Sequence, residues 1–359
     1  ISFGARGLLA INFRWLNPLR RPVIINLVIN NYGTFLGKTS ERLVVKENGK
    51  VVQEVPFFDL TQITITTSGA SLSSDVIRLC MEHGVQINFL SSTGQPYAKI
   101  SSPQLTATVQ TRREQLMAYL DQRGIVLAKA FITGKIKNQV NTLKYFAKHR
   151  KEAKKESYEQ VMSAATKMTG ILQELDSYQG QNIDEVRGQY LSVEGRASAV
   201  YWQQVASILE GKVDFPGREH RGAEDPFNSI LNYGYGILYS QLWSAILLAG
   251  LEPFAGFMHV DRPGKPSLVL DLIEEFRQPV VDRTVIAMFS KGTKVQLEDG
   301  KLSADTRKDL AARILARLDS TENYDGKKHK LSTIIQRQSR SIATFVRGEG
   351  KYRPFVGGW

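Results

Sequence analysis

"MHVDRPGKPSLVLDLIEEFR", residues Met258–Arg277, places one histidine a dozen residues ahead of an apolar helix that carries Asp271, Glu274 and Glu275. On a wheel of about 100° per residue, Ser267, Asp271, Glu274, Glu275 and Gln278 share one arc. Leu268, Val269, Leu270, Leu272, Ile273 and Phe276 cover most of the remainder. A helix apolar on nearly all sides is buried, so its polar wedge is expected to face a cleft. Pro279 is expected to end it. Like charges at these spacings repel by roughly a few tenths of a kcal/mol at a solvated surface, and by more as the dielectric falls. A cation must therefore compensate. It is either lysine or arginine from elsewhere in the chain, or a metal ion.

A second acid favours the metal. "YLSVEGRASAVYWQQVASIL" reads as a helix on which Glu194 shares a face with Ala197, Ser198, Tyr201, Val205 and Ile208. An isolated carboxylate is rarely tolerated on an inward stripe. The third element is His259, in a loop after Pro253 and Gly256 and shortly before the carboxylate helix. Taken alone it reads as a surface residue; beside those acids it becomes a ligand candidate. Glu194, His259, Glu274 and the nearby Asp271 form an oxygen-rich set with one imidazole, which suits Mg²⁺ or Mn²⁺. The set lacks the thiolates of structural zinc, although its chemistry also admits zinc.

The 359 residues favour two domains, and 42% hydrophobic content is ordinary for a globular chain. The net charge of +12 is not ordinary and points to a polyanionic partner. Cys80 is the only cysteine and reads as core, so no disulfide is expected. No secretory signal is visible and no apolar run is long enough to span a bilayer, which reads as cytoplasmic with no membrane role.

The expected fold class is α+β, a small β-rich N-terminal domain followed by a larger all-helical domain. Residues 1–22 read as a basic arm or linker, 23–105 as the β-rich domain, 106–345 as the helical domain and 346–359 as a flexible tail. Asn48-Gly49 between two β-branched runs predicts a hairpin, and "SSDVIRLCMEHG" predicts a helix ending at Gly84. After Pro103 the period turns helical. Helices are predicted at 110–122, 125–155, 157–177, 183–210, 225–249, 267–277, 279–290, 303–319 and 328–347.

Four motifs in order carry a family resemblance: Glu194-Gly195 within a helix, "PFNSILNYGYGILY", "AGLEPFAGFMH", and "LVLDLIEEFR" followed by "PVVDR". Together, over roughly residues 23–345, the chain resembles the CRISPR adaptation integrases, the nuclease subunits that insert new spacers into CRISPR arrays. The resemblance implies a divalent metal held by Glu194, His259 and Glu274, with Asp271 as a supporting acid. It implies attack of a DNA 3′-hydroxyl on a phosphodiester, with DNA cutting when water replaces the hydroxyl. It also implies double-stranded DNA as partner (prespacer and CRISPR leader-repeat), a homodimer, and the small partner protein of the adaptation complex. Some members are fused to a reverse transcriptase, and the first 22 residues, which have no counterpart, read as such a junction.

Two stretches concentrate charge. Lys129–Lys155 has nine Lys or Arg against Glu152, and Lys327–Arg353 has eight against Glu349, so each reads as a phosphate-contacting stripe. Any single lysine there, Lys137 included, reads first as a solvated helix face. Nearer the carboxylates, Arg218, Arg221, Arg262, Lys265 and Arg277 are candidate DNA contacts, and His220 is a weaker candidate. Asn228 either positions a site residue or packs; Tyr233, Tyr235 and Tyr239 read as core. Two other readings compete with an integrase: a metal-dependent nuclease without strand transfer, and a non-catalytic DNA-binding scaffold whose acids pair with lysines.

Overall fold

The computed structural model describes residues 25–91, 94, 96–102, 109–148, 155–219, 223–298 and 300–358. The N-terminal arm, His220 and Arg221 lie outside the described residues. The observed class is α+β, with strands first and helices after.

The β-rich part starts with β1 (Ile25–Ile29), β2 (Phe35–Thr39), β3 (Arg42–Glu47) and β4 (Lys50–Pro56). Asn48 and Gly49 take φ of 49° and 77°, the left-handed pair that a tight hairpin needs to match strand twist. β5 (Leu60–Ile65), β6 (Ser71–Leu72), α1 (Ser74–Glu82), β7 (Gln86–Leu90) and β8 (Pro96–Ile100) follow. One sheet has the order β1-β5-β7-β8, parallel except for β8; the other has the order β4-β3-β2-β6. Leu36, Leu43, Phe57, Ile63, Val76 and Cys80 fill a core of their own. Burial pushes the Cys80 thiol up to about 12, which leaves it an inert core residue.

In β5 threonine alternates with isoleucine, a pattern usual for a strand with one solvated face. In the structure Ile63 and Ile65 are buried, and so are Gln62, Thr64 and Thr66. The polar face is covered by the helical part. Ser244 Oγ donates to Gln62 Oε1 at 3.2 Å, and Lys99 Nζ donates to Ser244 Oγ at 3.2 Å. The Gly94 carbonyl sits where a Cβ on Gly236 would fall, so only glycine admits this approach.

The helical part contains α2 (Val109–Ala118), α3 (Gln122–Ala147), α4 (Lys155–Gln173), α5 (Ile183–Leu209) and α6 (Pro226–Leu248). It continues with α7 (Ser267–Ile273), α8 (Arg283–Ser290), α9 (Ala304–Asp319) and α10 (Leu331–Val346). α3 packs on α4 and α5, while α6 packs on α7, α9 and α10. Among the described residues no helix is long and apolar enough to cross a membrane.

Four expectations need correction. This part is not all helical: β9 (Leu297–Glu298) pairs with β10 (Lys301–Leu302), and β11 (Thr321–Tyr324) with β12 (Lys327–Lys330). The second hairpin turns at Asp325 and Gly326, with φ of 50° and 76°, and delays α10 to Leu331. Pro279 does not stop the chain's coiling. It sits inside a π-helical turn, Arg277–Asp282, that runs into α8. A π-turn suits a residue that lacks an N–H, because the usual ladder is already interrupted there. The basic stretch Lys327–Lys330 is strand, not the start of the last helix. Finally, the tail is not loose. Phe355 is 2% exposed and stacks on Phe276 with centroids 5.2 Å apart. Asn138 Nδ2 donates to the Phe355 carbonyl at 2.9 Å, and Gly357 N donates to Asn138 Oδ1 at 2.8 Å.

Removing the Phe355 ring leaves a cavity against Phe276. Phe355→Ala is expected to lower the unfolding free energy by about 3 kcal/mol, read as a lower urea midpoint at unchanged m-value.

Candidate metal centre and basic cleft

α7 ends at Ile273, and the three acids at its end, Asp271, Glu274 and Glu275, take different partners. Asp271 is fully buried, and its carboxylate organises the loop ahead of it. Oδ2 accepts from Phe257 N at 2.6 Å and Met258 N at 3.0 Å, and Oδ1 accepts from His259 N at 2.9 Å. The ring nitrogen His259 Nδ1 lies 2.7 Å from the same Oδ1. In the neutral ring, donation from Nδ1 to this carboxylate would leave the lone pair on Nε2. The loop approaches α7 so closely that a Cβ on Gly256 would meet Ser267 backbone carbon at 2.5 Å. Arg187 Nη2 holds it from the other side, donating to the Phe257 carbonyl at 3.2 Å. Asp271 thus has no oxygen to spare for the cleft and acts through His259.

Glu274 faces the cleft, as expected. Glu194 reaches it from α5. The Lys135 ammonium of α3 lies between them, in contact with Glu194 Oε1 and 2.6 Å from Glu274 Oε2. Arg277 Nε is 3.1 Å from Glu274 Oε1, and Ser198 Oγ donates to Glu194 Oε1 at 2.9 Å. Burial opposes a charge on Glu274, but Arg277, Lys135 and His259 outweigh it and hold its carboxyl at about 2. Burial also opposes the Lys135 charge, and Glu274 and Glu194 overcome it, so its pKa rises. Lys135 was read as part of a phosphate-contacting stripe. It is instead the counterion of the carboxylate pair, while Lys129 pairs with Asp176 at 2.6 Å.

Glu275 departs from the expected wedge. It is fully buried behind the cleft and accepts from Tyr352 Oη at 2.6 Å, Gln338 Nε2 at 2.7 Å and Phe355 N at 2.8 Å. Burial pushes its carboxyl up to about 7 against these donors. Glu275 anchors the tail rather than the site.

The cleft around Glu194, His259 and Glu274 measures about 320 Å³ and is walled by Phe131, Ile132, Leu191 and Leu270. Lys265 and Arg277 also line a broader neighbouring cleft of about 680 Å³, together with Arg218, Arg262, Asn232 and Tyr239. Four cations on one concave wall concentrate positive charge there. Two of them are fixed. The Arg277 guanidinium is 4.6 Å from the centroid of the Tyr235 ring, and that of Arg218 is 5.4 Å from it. Tyr235 Oη and Tyr201 Oη both donate to Asp282, which is fully buried. Asn228 positions rather than merely packs: its Oδ1 accepts from Arg218 Nη1 at 2.9 Å and Glu219 N at 3.0 Å. Lys137 is exposed two residues beyond Lys135 and lines neither cleft.

Among the described residues no group of three or more His, Cys, Asp and Glu side chains is gathered closely enough to hold a metal ion. Lys135 takes the cation position instead. The donor set nonetheless has the right chemistry. Two carboxylates, one held ionised, and an imidazole whose other nitrogen is fixed by a buried carboxylate suit a divalent ion once the ammonium withdraws.

Sequence reasoning missed Lys135, Asp282 and the Gln338–Tyr352 clamp. Only Lys135 left a signal, as a lone charge in the apolar run "AFITGKI".

The family model for "CRISPR associated protein Cas1" matches residues 27–314. The chain belongs to the Cas1 family. A "CRISPR-associated endonuclease Cas1" of Archaeoglobus fulgidus is 40% identical over 348 residues, 93% of this chain and 100% of the relative. Two solved structures share the fold. A casposase bound to an integration product has TM-score 0.75 at 24% identity, covering 92% of this chain and 93% of that one. A Cas6-RT-Cas1–Cas2 complex has TM-score 0.74 at 19% identity, covering 93% of this chain and 36% of that one. The resemblance seen in the four sequence motifs is therefore a true Cas1 membership.

The two acids differ in what they hold. Asp271→Ala strands three buried N–H groups and is expected to cost about 3 kcal/mol or more of stability. Glu194→Ala leaves Lys135 paired with Glu274 and is expected to cost about 1 kcal/mol. Parallel denaturant melts of the two variants check the difference.

Proposed function

We propose that this Cas1 is a metal-dependent DNA integrase and endonuclease of CRISPR adaptation. The observation that carries it is the meeting of Glu194 and Glu274 on one shielded cation position, in a cleft that His259 also lines, beside a wall formed by Arg218, Arg262, Lys265 and Arg277. Glu194, Glu274 and His259 Nε2 would hold Mg²⁺ or Mn²⁺. The bound ion would supply charge neutralisation at the oxygens of a phosphodiester.

The chain's own residues do the rest. Asp271 keeps the His259 ring in one orientation and one tautomer. Arg277, braced against Tyr235, keeps Glu274 ionised. Lys265 and Arg262 hold phosphates across the cleft mouth without reading sequence. A DNA 3′-hydroxyl laid along this wall attacks phosphorus in line. One phosphorus–oxygen bond forms, the target's bond to its 3′-oxygen breaks, and that oxygen leaves as a hydroxyl. Water in place of the attacking hydroxyl gives a cut instead. A homodimer, the small partner protein of the adaptation complex and a fused or associated reverse transcriptase belong to this reading as its assembly.

One observation favours a second reading. Lys135 pairs both acids, as a non-catalytic DNA-binding scaffold requires.

A strand-transfer assay separates the two. The donor carries free 3′-hydroxyls, the target a CRISPR leader and repeat, and the small partner protein is present. Metal-dependent joining is expected for the wild type and its loss for Glu194→Ala, His259→Ala and Glu274→Ala, with DNA affinity retained. Cutting without joining indicates a plain nuclease; no metal-dependent product with DNA bound indicates the scaffold. Arg262→Ala and Lys265→Ala are each expected to weaken DNA binding regardless of sequence. Each should also reduce the slope of log K against log salt by about one, measured by titration across salt concentrations.

A further inference from the structure

Two cations touch Glu274, and they are not equivalent. Arg277 is braced: its guanidinium lies 4.6 Å from the Tyr235 ring centroid, and Tyr235 is tied to the buried Asp282. It contacts Glu274 Oε1. Lys135 contacts Glu274 Oε2 and also Glu194, so it alone spans both acids. Its backbone cannot shift. A Cβ on the adjacent Gly134 would meet Glu275 Cγ at 2.9 Å and Pro354 Cβ at 3.0 Å, so α3 is pressed against the turn and the tail. Its side chain can shift, because a lysine ammonium rides on a flexible four-carbon stem. The cleft of about 320 Å³ lies open beside it. An ammonium and a divalent ion cannot share the space between the same two carboxylates.

We propose that Lys135 is a built-in competitor for the divalent ion, which enters by displacing the ammonium from Glu194 and Glu274 into the cleft. The proposal rests on the reading of those two glutamates as metal ligands. It explains how the carboxylate pair folds without metal. The displaced ammonium then joins Lys265 and Arg277 on the wall that faces DNA. Lys135 is in this sense a positioning residue that sets metal affinity.

Mn²⁺ binding is measured by calorimetry on the full chain, for wild type, Lys135→Met and Lys135→Gln. Both variants are expected to bind Mn²⁺ about tenfold or more tightly than wild type. Their Tm is expected to rise further on adding Mn²⁺. Glu194→Gln added to Lys135→Met is expected to remove the gain. Equal or weaker binding in the lysine variants, with wild-type binding still lost in Glu194→Gln, overturns the competition and leaves the metal site standing. No binding that depends on Glu194 in any form overturns both. A second readout needs no variant. Amine-reactive labelling of Lys135 in the wild type, followed by mass spectrometry, is expected to increase several-fold with saturating Mg²⁺. Unchanged labelling overturns the displacement.

Discussion

A carboxylate cannot be buried without compensation, and this chain buries three within the five residues from Asp271 to Glu275. Each is satisfied differently. Asp271 collects backbone N–H groups and a histidine ring. Glu274 collects two cations. Glu275 collects neutral donors and is pushed toward protonation. A straight helix would have aimed all three into one arc. α7 ends at Ile273 and the chain continues as a turn over 274–276, so one acid builds the loop, one faces the cleft and one anchors the tail.

The cleft depends on the same logic. A wall of arginine and lysine beside a carboxylate pair would collapse onto it if every cation were free. Arg277 and Arg218 are kept in place by aromatic faces, and Arg218 also by Asn228 and Asn232, whose Oδ1 atoms accept its N–H groups. Asp282 fixes the rings from behind. Arg218 is thereby held in the wall, while Arg277 is shared between the wall and Glu274.

The two parts of the molecule are joined by polar as well as apolar contact. Gln62, Ser244 and Lys99 link the parallel sheet to α6, whose opposite end carries Asn228. The tail closes the far side through Asn138 and Gln338. Both attachments keep α3, α6 and the α7 turn in fixed relation, and those three elements carry Lys135, Tyr235 and Glu274.

Much of the fold was legible. Strand and helix periods differ, so the change near Pro103 marked the order of the two parts, and Asn48-Gly49 marked its hairpin. Glu194 and Glu274 were legible as carboxylates on otherwise apolar helix faces, and His259 only by its place just ahead of the second. The acids' separate fates were not, because a wheel assumes a regular helix and α7 ends at Ile273, before two of the three. Nor was the packed tail: "KYRPFVGGW" has no periodicity, and its burial depends on Glu275, Gln338 and Phe276 meeting from distant positions. The sequence by itself determined that buried carboxylates exist and need a cation. Only the tertiary structure decided that Lys135 supplies it, because a counterion is chosen by distance in space, and α3 and α7 lie more than a hundred residues apart along the chain.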